Sequence, residues 1–282
     1  MKKTLTLGIS LLFGSMALAQ IQTPAPSPSA EIEQMVGLTE FEIEYSRPSM
    51  RGRKIYGELV PFGEIWRTGA NSSTKISFSD EITFGETQVP AGTYALYTKP
   101  GADSWDVYLY KDTSLWGAPR EWDENMVAAK ASVAPEQSPM SVETFTITLD
   151  NLHNNGAKLG LTWENTYVGV PIAVPTGAKA TESIEGVLAG PKAGDYFAAA
   201  SYYFQEGMNL NKAQEWIEKA VAMSPDSYWM SHVQSQIYAK QGNNKKAIAA
   251  AKNSLKAAQA AGNADYIRMN EKSLEGWGVE LE

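Results

Sequence analysis

Four of the chain's six arginines, Arg47, Arg51, Arg53 and Arg67, fall within 21 residues of one another, in a protein of 282 residues carrying 32 Asp and Glu against 24 Lys and Arg. A guanidinium is a planar fork of donors that matches a carboxylate or a phosphate. Four of them on a loop shaped by Pro48, Gly52, Gly57 and Pro61 could therefore hold an anion. Trp66, beside Arg67, adds a flat apolar face suited to a sugar or an aliphatic group, and Asn71 closes the stretch with an amide. Arg47, Arg51, Arg53, Trp66, Arg67 and Asn71 are the candidate ligand-binding residues. A structural alternative stays open: Glu42, Glu44, Glu58 and Glu64 are interleaved with these arginines and could pair with them, pinning a long loop across the fold. Contact with a partner protein is the third reading.

Other chemistries have less to stand on. The chain has no Cys, which removes disulfides, thiolate metal sites and cysteine nucleophiles. His153 and His232 lie 79 residues apart, with no second histidine at metal-ligand spacing, so neither a metal site nor a cofactor is expected. Ser46, Ser49 and Ser72 lack a nearby histidine base. Asp103, Asp106, Glu121, Asp123 and Glu124 offer carboxylates for acid and base work on a glycan if the fold pairs them, and solvated loop charges if it does not. Trp66, Trp105, Trp116, Trp122 and Trp163 would make a carbohydrate platform if several stood exposed in a row; core and loop anchors are the commoner use of such rings. A net charge of −8 argues against nucleic acid.

The elements that must position these residues change character along the chain. Lys2 and Lys3, an apolar run over about 5–13 and Ala17-Leu18-Ala19 compose a signal peptide over residues 1–19, too short to span a membrane. Its removal takes the charge from −8 to −10, a surface that anionic headgroups would repel. No cysteine is present to carry a lipid, so a periplasmic or secreted protein without a membrane span is expected. Residues 20–30 contain Pro24, Pro26 and Pro28 and read as an extended tether. Over 31–174 apolar residues alternate, as in Phe41-Glu42-Ile43-Glu44-Tyr45, with turn signals such as Pro90-Ala91-Gly92 and Asn154-Asn155-Gly156 between runs. Eight or more short strands in this arrangement predict an antiparallel β-sandwich. Residues 175–190 are rich in Gly, Ala and Thr and read as a linker, with at most a turn of helix. Over 191–278 the period becomes helical, and five helices are expected. A 34-residue offset lays Phe204 on Tyr238, Lys212 on Lys246 and Ala213 on Ala247, which resembles the tetratricopeptide repeat. The fold class is thus α+β multidomain, an all-β sandwich followed by a short all-α helical-hairpin domain.

Three runs define a family resemblance: Ser46 to Ile55, Gly57 to Gly63 with Trp66 to Asn71, and Pro90 to Leu96. They resemble the signature of the exported bacterial domain of unknown function catalogued as number 2911, over about 34–171. The resemblance implies a secreted β-rich domain, often followed by helical repeats, and implies no reaction. The expected function is non-catalytic binding: a small anionic or glycan ligand at the arginine and tryptophan loop, and a protein or peptide partner on the helical hairpins. The competing expectations are a hydrolase acting on an envelope glycan and a structural envelope component without ligand.

Overall fold

A computed structural model describes residues 23–187 and 190–280, which divide into two units between Pro175 and Thr176. The signal peptide expected at 1–19 and the first residues of the tether lie outside the described residues.

Among the described residues the first unit holds ten strands. β1 (Ser29–Val36), β2 (Thr39–Ser46), β3 (Thr74–Phe78), β6 (Gly92–Lys99), β7 (Trp105–Tyr110) and β8 (Val127–Val133) form a six-stranded sheet in the order β1-β2-β3-β6-β7-β8. β4 (Ile82–Phe84), β5 (Thr87–Val89), β9 (Glu136–His153) and β10 (Gly156–Ala173) form a second sheet in the order β5-β4-β10-β9. Every pairing within these sheets is antiparallel. Alternation explains the layering, since β2 buries Thr39, Phe41, Ile43 and Tyr45 and turns Glu40, Glu42 and Glu44 outward. Phe41, Ile43, Ile76, Leu96 and Leu109 of the first sheet share one core with Phe84, Phe145, Ile147, Leu159 and Leu161 of the second, which is the predicted sandwich. Each such side chain contributes about 1.5–3 kcal/mol by leaving water.

Two features depart from the sequence reading. Leu159 to Trp163 and Tyr167 to Ala173 belong to one strand, β10, with Val174 just past its end, because the register against β9 shifts around Glu164, whose φ of 54° bends the strand without ending it. The segment after β7 breaks alternation because it folds back over the outer face of that sheet. There Leu115, Trp122 and Met126 cover Ala95, Tyr97, Tyr108 and Tyr110.

Among the described residues the second unit holds six helices, one more than expected: α1 (Thr176–Val187), α2 (Ala193–Gln205), α3 (Leu210–Met223), α4 (Tyr228–Lys240), α5 (Asn244–Ala260) and α6 (Ala264–Gly276). Residues 176–187, expected as linker, are the helix α1; its Ile184 packs on the cluster of Ala199, Tyr203, Trp216 and Ile217, and such burial outweighs the low propensity of its glycines. The 34-residue offset has a physical basis. Asn209 and Asn243 each cap the following helix through Oδ1, and Ala213 and Ala247 are fully buried one turn later. α2 packs on α3 and α4 on α5, so the chain forms successive hairpins as the repeat pattern predicts. Within α4, α5 and α6 lies a buried polar network. His232 Nδ1 and Asn270 Oδ1 are 2.8 Å apart, Asn270 Nδ2 donates to Ser254 Oγ, and Ser254 Oγ donates to the Tyr228 carbonyl. Among the described residues no helix is long and apolar enough to cross a membrane.

Candidate functional site

The arginine segment runs from the end of β2 to the start of β3. Its first part lies along the edge of β9: Met50 N–H donates to the Glu143 carbonyl at 2.8 Å, Phe145 N–H donates to the Pro48 carbonyl at 2.9 Å, and Ser49 bridges Thr144. This gives an otherwise open sheet edge its backbone partners. Arg51 (φ 51°) and Gly52 (φ 73°) then turn the chain in the left-handed region. Further on, Trp66 forms a bridge with Thr98 of β6 through two backbone hydrogen bonds, of 2.7 and 2.9 Å. That bridge sets the side-chain directions. Trp66 turns inward, stacking on Trp163 at 5.9 Å and meeting Phe145 edge-on at 5.1 Å. Period two sends Ile65 and Arg67 to the other face; Ile65 packs with Tyr97 and Tyr108 there, and Arg67 Nη1 approaches Gly117.

The six candidate residues separate into two kinds. Arg47 donates from Nε to the Phe145 carbonyl at 3.0 Å and from Nη2 to Thr146 Oγ1 at 2.6 Å, joining the end of β2 to β9. Arg53 closes its own turn on the carbonyls of Met50 and Ser49, at 2.9 and 2.7 Å. Arg51 Nη2 donates to the Pro26 carbonyl, Asn71 Nδ2 to the Ser27 carbonyl and Ser46 Oγ, and Arg47 N–H to the Pro28 carbonyl. The tether is thus held at three successive carbonyls. Prolines at 26 and 28 have no N–H, so carbonyls are the groups those positions offer. Arg67 is different. It is half-buried, its Nε is shut off from water with no acceptor, and among the described residues no protein atom accepts from any nitrogen of its guanidinium.

The glutamate pairing that sequence left open does not form: among the described residues none of the four guanidiniums meets a carboxylate in an ion pair. Glu58 pairs with Lys54 at 3.7 Å. Glu42 and Glu44 stand opposite Glu33 and Glu31 across β1 and β2, and its partial burial, then the neighbouring Glu31, Glu44 and Glu33, push the Glu42 carboxyl up. Carboxylates line two hollows on that face, of about 460 and 350 Å³, through Glu31 and Glu44 in one and Glu33, Glu40 and Glu42 in the other.

A separate cleft of about 300 Å³ lies in the arginine segment, bordered by Arg53, Trp66, Arg67, Trp163 and Ser27, and no carboxylate borders it. Both indole N–H groups are already in use, Trp66 Nε1 on the Gly69 carbonyl and Trp163 Nε1 on the Glu143 carbonyl. Trp163 and Ser27 join the cleft from 97 residues downstream of Trp66 and from the tether, and nothing local in the sequence could have placed them there.

Three of the carboxylates considered for acid and base work, Asp106, Asp123 and Glu124, are each engaged with other groups. Burial pushes the Asp106 carboxyl up, but Ser132, Lys130 and Tyr108 outweigh this and hold it below the ordinary range. Asp123 caps the turn Glu124–Met126, and Glu124 accepts from Trp122 Nε1. Among the described residues no three His, Asp or Glu side chains are grouped to hold a metal ion. Trp105 and Trp163 are core residues, each 1% exposed, and Trp66 and Trp122 are half-buried, so the row of exposed rings does not form. Trp116 alone of these five stands out, 80% exposed.

Fold and site together define a two-part chain, an antiparallel sandwich carrying an unpaired guanidinium, followed by helical hairpins. Residues 27–172 match the family described as "Protein of unknown function (DUF2911)", and the chain belongs to that family. No curated protein matches the chain. Among solved structures, one titled "Crystal structure of MamA" is similar over 36% of this chain and 68% of its own, at 19% identity and a TM-score of 0.28.

Proposed function

We propose that the chain is an exported, non-catalytic binding protein whose sandwich takes a small anionic or sugar-like ligand at the Trp66–Arg67 segment, and whose helical hairpins contact a protein or peptide. One observation carries the first part. Arg67 holds a half-buried guanidinium that, among the described residues, neither a carboxylate nor a carbonyl satisfies. A buried donor without a partner costs about 1–3 kcal/mol; an anion at that place removes the cost and gains charge-assisted bonds. The carboxylate-free cleft beside it, at about 300 Å³, is of a size for one small ring or acid. The helical part of the proposal is supported by the two hairpins and by large apolar side chains left in solvent on them, Trp229 at 37% and Met223 at 54% exposure.

Calorimetric titration with sulfate and with glucuronate tests the ligand reading. The wild type is expected to bind at least one of them saturably, and Arg67→Met to bind neither. Equal binding by the two proteins, or no binding by the wild type, overturns it.

A further inference from the structure

Trp116 is the most exposed large apolar side chain among the described residues, at 80%, yet its backbone is fixed. Ser73 donates from both N–H and Oγ to the Leu115 carbonyl, at 3.4 and 3.1 Å, and Tyr97 Oη donates to the Gly117 carbonyl at 2.9 Å. The residue on each side of Trp116 is thereby tied to the sheet while the indole stays in water. An indole held out in this way is an unfavourable surface that nothing in its own loop covers. Gly117 is also where the Arg67 guanidinium arrives: a Cβ built on Gly117 would lie 3.5 Å from Nη1. The unpaired cation therefore abuts the residue that directly follows Trp116.

Three of the local acids are engaged elsewhere. Asp112 is lowered by hydrogen bonds from the Ser114 hydroxyl and backbone N–H, Asp123 accepts from Asn125, and Glu124 accepts from Trp122. Among the described residues Arg120, exposed four residues after Trp116, has no carboxylate partner either. The exposed residues about Trp116 in sequence are Ser114, Ala118, Arg120 and Glu121, so no second large apolar side chain stands exposed beside the indole there. A protein-sized hot spot needs a broad apolar patch ringed by further contacts. One isolated indole offers instead a single flat face, the size of one pyranose ring, and a guanidinium beside it offers the fork that fits an acidic substituent.

We infer that the ligand is an acidic saccharide, with one sugar ring laid on Trp116 and its carboxylate or sulfate held by Arg67. This rests on the reading of Arg67 as an anion contact and adds the platform residue and the ligand class to it. Sulfate shares only the charge with such a ligand, and methyl glucoside only the ring, so each probe isolates one half of the recognition.

The experiment is titration of the full chain with glucuronate, sulfate and methyl glucoside, repeated for Trp116→Ala and Arg67→Met, with melting curves to establish folding. Glucuronate is expected to bind most tightly, to lose at least tenfold in Trp116→Ala and to show no saturable binding to Arg67→Met. Sulfate is expected to bind more weakly and to the same extent in wild type and Trp116→Ala. If glucuronate binding is unchanged by Trp116→Ala, or if methyl glucoside binds as well as glucuronate, the inference fails while the anion site stands. If glucuronate and sulfate both fail to bind the wild type, or bind Arg67→Met equally well, the site and the inference fall together. Should Arg67→Met not fold, competition decides: excess sulfate must displace glucuronate from the wild type, and failure to do so counts against the shared anion contact.

Discussion

Arg47 and Arg67 belong to one sequence cluster, and methionine in place of each should move stability in opposite directions. Arg47→Met removes two hydrogen bonds from a charged donor, to the Phe145 carbonyl and to Thr146 Oγ1, across 98 and 99 residues of chain. Bonds of this kind contribute about 1.5–3 kcal/mol each, and water recovers part of that at a half-exposed place, so the expected loss is about 2–4 kcal/mol. Arg67→Met breaks no bond to protein, keeps an apolar stem of similar length, and eliminates a buried donor whose isolation costs about 1–3 kcal/mol. The expected change is between zero and a gain of about 2 kcal/mol. Hydrogen exchange of the β9 and β10 amides reads the sandwich alone, whatever the helical unit does. Exchange should quicken roughly 30- to 1000-fold in Arg47→Met, as 1.4 kcal/mol is about tenfold, and stay level or slow in Arg67→Met. A loss above about 2 kcal/mol for Arg67→Met would mean that its guanidinium holds the fold together, and would refute its assignment as a free ligand contact.

Three further outcomes follow from the same geometry. Asn71→Ala combined with Arg51→Ala should release residues 26 and 27, seen as faster proteolytic cleavage there, while the Arg47 N–H still holds the Pro28 carbonyl, with sandwich stability changed by no more than about 1–2 kcal/mol because the lost bonds to the tether are exposed. Asn270→Leu should cost the helical unit about 2–4 kcal/mol, measured by urea unfolding at 222 nm, since it strands His232 Nδ1 in a buried place and takes from Ser254 Oγ the donor it accepts from, leaving only its bond to the Tyr228 carbonyl. Asp106 has a folded-state pKa below its unfolded one, so its stabilisation is complete above the unfolded value and is lost as pH falls through the folded one. Ser132→Ala should therefore leave stability in mild acid weaker than wild type and move the acid unfolding midpoint to higher pH.

Much of the β architecture is legible in sequence because exposure alternates where one face of a strand meets the core. Phe41, Ile43 and Tyr45 announce β2, and Trp105, Val107 and Leu109 announce β7. The short β4 and β5 have too few residues to show a period, and β10 passes for two strands because its bend at Glu164 resembles a break. Helix α1 is obscured by Gly177 and Gly186, whose low propensity is offset by the packing of Ile184, a tertiary effect. The arginine cluster is visible as composition. Which of its members is free is not, because the acceptors of Arg47 come from β9 and those of Arg51 and Asn71 from the tether, and only folding brings those carbonyls to the loop. Glu42 and Glu44, two of the glutamates that looked like partners, are separated from the arginines by the same alternation that revealed the strands, which turns them to the outer face of β1 and β2, and Glu58 pairs with Lys54 instead.

The most direct measurement is the ¹H–¹⁵N spectrum of the arginine side chains during titration with glucuronate. The Nε–H signal of Arg67, a buried donor without acceptor, should shift saturably on a single binding curve, while that of Arg47, already bonded to Phe145, stays in place. An unmoved Arg67 signal, or equal unsaturated drift of all six arginines, would contradict the account.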